Sequence, residues 1–389
     1  MIKRNLAGYA HELSKKYPIV TITGPRQSGK TTLARQTFST LAYTNLEHPT
    51  TRSFVLEDPE GFLAQFPDGA IIDEVQRAPE LLSFIQVRVD ADKRNGQYIL
   101  TGSQHFEMSE KISQSLAGRT AILRLLPFSL DEISGYGNMS TDELLVKGSY
   151  PRLYEENIEP TQFYGDYFET YVQRDVRQLS QLRNLSLFER FVRLCAGRIG
   201  HLLNLSSLSN DAGISQTTAR EWLSLLQASY IVFLLAPFHA NLGKRLVKTP
   251  KLYFYDVGLA AWLCGIEDVK HITFHPLRGQ FFENLVVAEL VKYRYNQGKR
   301  LNLTFYRDNI GNEVDVFYHI ANTIIPFEIK SGQTIALDFF NIFKKMRSLP
   351  LELAEQGIVI YDGREEQNRK AGLVVNFRSM TEVLNRFER

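Results

Sequence analysis

Gly24, Pro25, Arg26, Gln27, Ser28, Gly29, Lys30 and Thr31 run in the order G-x-x-x-x-G-K-[ST], the spacing of a P-loop. Each residue type has a task in holding a triphosphate. The glycines let backbone N–H groups converge on phosphate oxygens, and the positive end of the following helix adds its field. Lys30 can reach the β- and γ-phosphates, and the Thr31 hydroxyl is placed to ligate Mg²⁺. Residues Gly24 to Thr32 are therefore the expected binding set for ATP or GTP, and Lys30 also acts on the transferred phosphoryl group.

A second group closes an apolar run. Ala70, Ile71 and Ile72 lead into Asp73 and Glu74, the Walker B pattern, in which the first acid supports Mg²⁺ and the second polarises the attacking water. Asp73 is the expected metal-side carboxylate and Glu74 the catalytic one. Gln97 to Ser103 ends in small polar residues. Ser103 or Gln104 could sense the γ-phosphate there, Thr101 being the weaker choice, and a plain strand-end turn is the alternative. Arginine suits the charge on a phosphoryl group in transfer, so Arg119 and Arg174 are candidates for a finger offered to a neighbouring copy. A surface ion pair is the alternative for each.

A third constellation lies far downstream. Glu283 sits inside an apolar helical stretch, where a carboxylate requires a partner. Asp315 follows in Glu313-Val314-Asp315, then Glu328-Ile329-Lys330. In that order the residues fit a PD-(D/E)xK nuclease, with Asp315 and Glu328 on Mg²⁺, Lys330 on the attacking water and Glu283 completing the acidic cluster. The competing reading keeps the fold as scaffold, its acids paired with Lys330 in a buried ion network.

The elements that must position these residues follow from periodicity. Pro18 to Thr23 reads as a buried strand and Thr31 to Phe38 as the helix the P-loop needs. Leu41–Leu46, Ala70–Glu74, Gln97–Ser103 and Ala121–Leu126 are further strands, with helical spacing between them (Leu81, Leu82, Ile85, Val89), which predicts a doubly wound parallel sheet. Thr161 to Leu179 is an aromatic-striped helix. Leu205, Leu208 and Ala212, a turn at Asp211 to Ile214, a Ser215 cap, and Ala219, Trp222, Leu223 and Leu226 spell helix-turn-helix. Gln216, Thr217, Thr218 and Arg220 then face outward. Tyr230–Leu235 follows as a strand and Asn241–Leu246 as a wing. Between His201 and Lys251, five basic residues (Arg220, Lys244, Arg245, Lys248, Lys251) oppose two acids (Asp211, Glu221). That balance suits DNA phosphates, while protein contact is the other use of such a module.

The 389 residues suggest two to three domains, and a net charge of +2 argues against a globally basic nucleic-acid binder. Cys195 and Cys264 lack metal-ligand spacing. Without a long apolar segment, the expectation is a cytoplasmic protein with no membrane association.

The P-loop, Ile72 to Gln76, Leu100 to Ser103, Leu116 to Arg119 and Leu126 to Ser129 together resemble the prokaryotic AAA-type ATPases. More narrowly they resemble the subgroup whose C-terminal half is a domain of unknown function with a restriction-endonuclease-like core. Gly148 to Pro151 and Tyr171 to Val176 fit that subgroup too. The resemblance implies ATP rather than GTP, Mg²⁺-dependent hydrolysis, and the strand Gln97–Ser103 lying between the two Walker strands. Three units are expected: an α/β P-loop ATPase module with its lid (1–157), a helical and winged-helix connector (158–267) and an α/β nuclease-like domain (268–389). Two functions fit. One is a DNA-associated ATPase with a candidate nuclease site, for which a homo-oligomer is the candidate assembly; the other is an ATP-driven switch whose C-terminal half binds protein.

Overall fold

Runs of β-branched and aliphatic residues bounded by turns form the first sheet, in a computed structural model that describes residues 2–103, 115–173, 184–238, 248–347 and 351–388. Its strands are β1 (Ile19–Thr23), β2 (Ala42–Asn45), β3 (Ala70–Asp73), β4 (Tyr98–Gly102) and β5 (Thr120–Arg124). They are all parallel, in the order β2-β3-β4-β1-β5. β4 therefore lies between the P-loop strand and the strand of Asp73, as expected. Helices α1 (Leu6–Ser14) and α2 (Lys30–Thr37) share one core with Val20, Ile22 and Leu123. On the other face, α3 (Pro49–Glu57), α4 (Pro59–Ala64) and α5 (Leu81–Ala91) pack on Ile19, Ile72 and Leu100. Both faces are covered, which is why β1 is buried along its whole length.

From Leu126 to Leu384 most apolar residues share one large core, with two smaller clusters around Phe317 and Val359 on the C-terminal sheet. The helices α6 (Thr141–Lys147), α7 (Pro151–Glu155) and α8 (Pro160–Tyr167) come first, and α8 runs into a π-helical turn, Phe168–Gln173. The aromatic stripe expected there is core packing: Phe163, Tyr164, Tyr167, Phe168 and Tyr171 are all buried. Next come α9 (Leu185–Ala196), α10 (Leu205–Ala212) and α11 (Gln216–Ala228), then the antiparallel pair β6 (Val232–Leu235) and β7 (Lys251–Phe254). Gly213 makes the α10–α11 turn at φ 74°, and the Ser215 hydroxyl accepts from the Thr218 N–H at 3.0 Å as the α11 cap. Ala219, Trp222, Leu223 and Leu226 point inward and Gln216, Thr217 and Arg220 outward, as the spacing predicts. The wing expected at Asn241–Leu246 lies outside the described residues.

After the short helices α12 (Val257–Leu263) and α13 (Val269–Thr273), the long α14 (Arg278–Asn296) leads into an antiparallel meander. This is β8 (Leu303–Arg307), β9 (Glu313–Ile320) and β10 (Thr323–Lys330). Helix α15 (Asn341–Met346) then crosses to β11 (Gly357–Tyr361), parallel to β10. An edge pair, β12 (Gln367–Arg369) and β13 (Gly372–Asn376), and a closing helix α16 (Met380–Phe387) follow, in the sheet order β12-β13-β11-β10-β9-β8. The expected boundaries after Asn157 and Glu267 fall inside the shared core, which takes in Tyr164, Leu226, Leu259, Val287 and Phe327 together.

Helix α14 is buried nearly all round, so its polar residues must be paired. Asn284 accepts from the Phe254 N–H at 2.7 Å and donates to its carbonyl at 3.1 Å, fastening β7. Lys292 donates to Glu289 at 2.7 Å and to the Phe128 carbonyl and Ser149 hydroxyl at 2.9 Å, while Glu289 accepts from the Leu130 N–H at 2.8 Å. This pair docks the segment leaving the first sheet onto the C-terminal half. Lys292→Met strands the Glu289 charge and is expected to lower stability by about 3–5 kcal/mol. The double variant with Glu289→Gln should regain most of that loss, as read from urea-denaturation midpoints.

Candidate nucleotide site and a buried charge cluster

The P-loop leaves β1 at Thr23 and bends at once. A Cβ at Gly24, whose φ is 150°, would stand 2.1 Å from the Leu125 carbonyl oxygen, so only glycine fits. Gly29, at φ 89°, turns the chain into α2. Arg4, only 5% exposed, holds the loop from behind: it donates to the Ser28 carbonyl at 2.6 Å, to the Leu126 carbonyl at 2.7 Å and to Glu132 at 3.0 Å. The Lys30 ammonium donates to the Gly24 and Pro25 carbonyls at 3.1 and 2.7 Å. Burial pulls its pKa down to about 8, although the carboxylates of Glu74 and Asp73 favour its charge.

Asp73 is the hub of the site. One carboxylate oxygen accepts from Thr31 at 2.8 Å and from the Tyr43 phenol at 2.9 Å; the other accepts from the Thr101 hydroxyl and from the Glu74 N–H at 3.2 Å. Burial first, and then the Asp73 charge, push Tyr43 up to about 12. Glu74 is held at φ 56°, a left-handed conformation costly for a residue with a Cβ, and such strain concentrates at functional sites. Gln76 donates to the Glu74 carboxylate at 2.5 Å and to the Ser103 hydroxyl at 3.3 Å, linking the acid to the tip of β4. Arg26, Gln27, Gly29, Lys30, Thr31, Thr32 and Glu74 line a cleft of about 360 Å³, closed on its far side by Thr170 and Tyr171 from the π-helical turn.

The downstream constellation also comes together, around a cation the sequence reading did not include. Lys251 of β7, 3% exposed, lies 2.6 Å from Glu313, 3.1 Å from Glu283 and 4.0 Å from Asp315. Tyr253 donates to Glu283 at 2.5 Å, and the Ile329 N–H donates to Asp315 at 2.8 Å. Lys330 donates to one Glu328 oxygen at 2.5 Å; the other is buried with no hydrogen-bond partner. Burial, then the Glu283 charge, push Asp315 up to about 6, and burial, then the Asp315 charge, push Glu328 up to about 8. Among the described residues, no three His, Cys, Asp or Glu side chains are grouped as metal ligands. Beside the expected Lys330, which pairs with Glu328, Lys251 thus stands as a second ammonium, between Glu283 and Glu313.

Residues 16–134 match the family described as "AAA domain". This part of the chain is an AAA-type P-loop ATPase domain. Residues 138–270 and 278–380 match two families described as domains of unknown function, DUF8612 and DUF4143. The chain is similar to uncharacterized proteins of Mycobacterium tuberculosis (Rv2008c) and Mycobacterium bovis (Mb2031c). Each is 29% identical over 363 residues, covering 92% of this chain and 79% of the relative. Among solved structures, a Walker-type ATPase of Pyrococcus abyssi aligns with a TM-score of 0.44 at 14% identity over 68% of this chain and 96% of its own. AMPPCP-bound DnaA from Aquifex aeolicus aligns with a TM-score of 0.32 at 15% identity, over 57% and 86% of the two chains.

Within the ATPase domain, Thr31 and Asp73 offer the hard oxygen donors that Mg²⁺ prefers, which fits a metal held between the Walker motifs. Ser103 reaches the site only through Gln76. Thr101, the weaker choice from sequence, touches Asp73 directly. Arg119 stands at the opposite end of the sheet from its own P-loop, where the Ile19 N–H donates to its carbonyl at 3.2 Å and its guanidinium grips Asp90 at 2.6 and 2.7 Å. Arg174 and Gln104 lie outside the described residues. Arg4, Tyr43, Gln76 and Lys251 were not foreseen. A buried arginine at the fourth position of an otherwise polar lead carries no local signature, and the other three owe their roles to strands brought together by the fold. Among the described residues no helix is long and apolar enough to cross a membrane.

Phosphate beside Lys30 favours the charged ammonium, so a nucleotide complex holds this proton to higher pH than the free protein. Affinity for ATP should therefore be level below about pH 8 and fall above it, with proton uptake near pH 8 to 9 seen by titration calorimetry in buffers of differing ionisation heat. For Asp315 and Glu328 the folded pKa values are raised above 3.8 and 4.5, to about 6 and about 8. Their contribution to stability is full at acid pH, below the unfolded values, and is lost as pH rises through 6 and then 8. The thermal midpoint should fall across that window, and Asp315→Asn with Glu328→Gln should flatten the fall.

Proposed function

We propose that the chain is a Mg²⁺-dependent ATPase whose turnover controls a DNA-associated C-terminal half. The observation that carries the hydrolytic part is Asp73 joined to the Thr31 hydroxyl at 2.8 Å, with Glu74 beside the same cleft. The residues of the P-loop from Gly24 to Thr32 bind the phosphates, Lys30 steadies the β- and γ-oxygens, and Thr31 and Asp73 hold Mg²⁺. That ion supplies charge neutralisation on the triphosphate. Glu74 accepts the proton of the attacking water, released from Gln76 as the water takes its place, and Ser103 registers the γ-phosphate through Gln76.

For the remainder, the units 1–157, 158–267 and 268–389 are read as ATPase with lid, winged-helix connector and nuclease-like domain. The N-terminal part of α11, with Gln216, Thr217 and Arg220 exposed and Thr218 half-buried beside the Ser215 cap, supports contact with DNA. The order α14, β8-β9-β10 meander, α15 and β11 parallel to β10, with Asp315 on β9 and Glu328 and Lys330 on β10, supports the nuclease-like reading. Lys251 beside Glu283 and Glu313 favours a scaffold whose acids are neutralised internally rather than by metal. A second reading, metal-dependent cleavage at Asp315 and Glu328, draws on the partnerless buried oxygen of Glu328. In a homo-oligomer, Arg119 or Arg174 is the finger that a neighbouring copy would supply.

Lys30→Ala should abolish ATP binding or turnover, whereas Glu74→Gln should bind ATP and hydrolyse it on the order of 10²-fold more slowly. Undiminished turnover in both would overturn the ATPase assignment. The same assay with and without duplex, branched or single-stranded DNA tests the association: stimulation supports it, and equal rates favour an ATP-driven switch that binds protein. Cleavage of any of these DNAs with Mn²⁺ or Mg²⁺, lost in Asp315→Ala, would replace the scaffold reading with the nuclease one.

A further inference from the structure

We propose that Tyr171 and Tyr230 are positioning residues that tie the two flanks of the nucleotide loop to the C-terminal end of α11, so that nucleotide binding is transmitted to that helix. The inference rests on ATP binding at the P-loop but not on what α11 contacts.

Two independent links meet on consecutive residues. Inside the loop, the Arg26 guanidinium lies over the Tyr171 ring, 5.5 Å from its centre, and the Tyr171 phenol donates to the Ser229 carbonyl at 3.1 Å. Ser229 is the residue that ends α11. Just before the loop, the Thr23 hydroxyl and the buried Tyr230 phenol are hydrogen-bonded at 3.0 Å. Thr23 and Arg26 thus bracket Gly24 and Pro25, whose carbonyls hold Lys30.

The backbone at both tyrosines departs from what their neighbourhoods favour. Tyr230 has φ 57°, immediately after a helix end, a position glycine fills without steric penalty. A side chain with a Cβ in that conformation needs a reason, and the hydroxyl contact to Thr23 supplies one that glycine could not. Tyr171 lies in the π-helical turn Phe168–Gln173, whose wider coil sets Thr170 and Tyr171 against the nucleotide cleft.

Triphosphate charge competes with the Tyr171 ring for Arg26, because a phosphate is a far stronger partner for guanidinium than an aromatic face. Arg26 moving onto phosphate loosens the Tyr171 contact, and Thr23 moves with the loop. Helix α11 carries the displacement as a rod: its 13 residues span roughly 20 Å at 1.5 Å each, and Trp222 is wedged against Phe188 and Phe191 at ring distances of 5.3 and 5.6 Å. The outward Gln216, Thr217 and Arg220 are at the far end.

Amide hydrogen exchange on the full chain, with and without saturating Mg²⁺·ATP, tests the proposal, with binding established separately by calorimetry. The expected result is a change of several-fold in exchange at Leu225–Ile231 and in the first turn of α11, absent or strongly reduced in Tyr171→Phe/Tyr230→Phe at saturating nucleotide. A wild-type protein that binds ATP with α11 exchange unchanged overturns it. So does a double variant that transmits as the wild type does. If the double variant does not fold by circular dichroism, Tyr171→Phe, which keeps the ring over Arg26, decides by the same comparison. Failure of the wild type to bind ATP would overturn the nucleotide reading itself, and the coupling with it.

Discussion

A helix buried on nearly every side can carry polar side chains only where the surroundings answer each of them, and this constraint fixes how the chain is arranged. Arg278–Asn296 presents Glu283, Asn284, Glu289, Lys292 and Arg294 to its neighbours. Their partners come from Lys251 and Tyr253, the Phe254 backbone, the segment Phe128–Ser149, and Glu388. No two of these groups are close in sequence to one another except those of β7. An unanswered one would cost more than most single apolar contacts contribute. The exit from the ATPase sheet, the middle hairpin and the C-terminal helix are thereby held in one register, and a shared apolar core grows around that arrangement.

The ATPase end is organised on the same principle at smaller scale. Asp73 collects donors from β2, α2 and β4 as well as the backbone of Glu74, so the strands of the sheet are aligned at their C-terminal ends by one carboxylate. Arg4 does the corresponding work behind the loop, with three acceptors in three segments. Groups that must meet a triphosphate are already oriented by neutral and charged hydrogen bonds, which limits the reorganisation left for binding.

Much of this was legible in the sequence because the signals are local. The P-loop is eight contiguous residues, the apolar strand before Asp73 is contiguous with it, and the apolar runs located the five strands of the first sheet to within two residues at each end. The helix-turn-helix spacing and the order of Glu283, Asp315, Glu328 and Lys330 were likewise readable. What escaped were roles made by distance. Lys251 counts in sequence as one basic residue of a hairpin, and only the packing of β7 against α14 and β9 turns it into the counter-ion of three acids. Gln76 looks like a helix-start residue until β4 brings Ser103 beside it. The aromatic stripe was readable as core, yet the π-helical turn that lets Tyr171 serve both core and cleft has no periodic signature. Residues on both sides of Glu267 pack in one apolar cluster, because apolar periodicity tells which face is buried but not against what.

The source of that counter-ion bears on the order of events during synthesis. Lys251 leaves the ribosome before Glu283, Glu313, Asp315 and Glu328. Once β6 and β7 are paired, Lys251 offers Glu283, Glu313 and Asp315 a positive charge placed before any of them is made. The meander β8-β9-β10 brings Arg307 to Glu313 at 2.9 Å and Lys330 to Glu328 at 2.5 Å, but the ammonium shared by Glu283 and Glu313 is supplied from the earlier strand. Vectorial translation and electrostatics run in the same direction here, and a circular permutation that placed the hairpin last would reverse them.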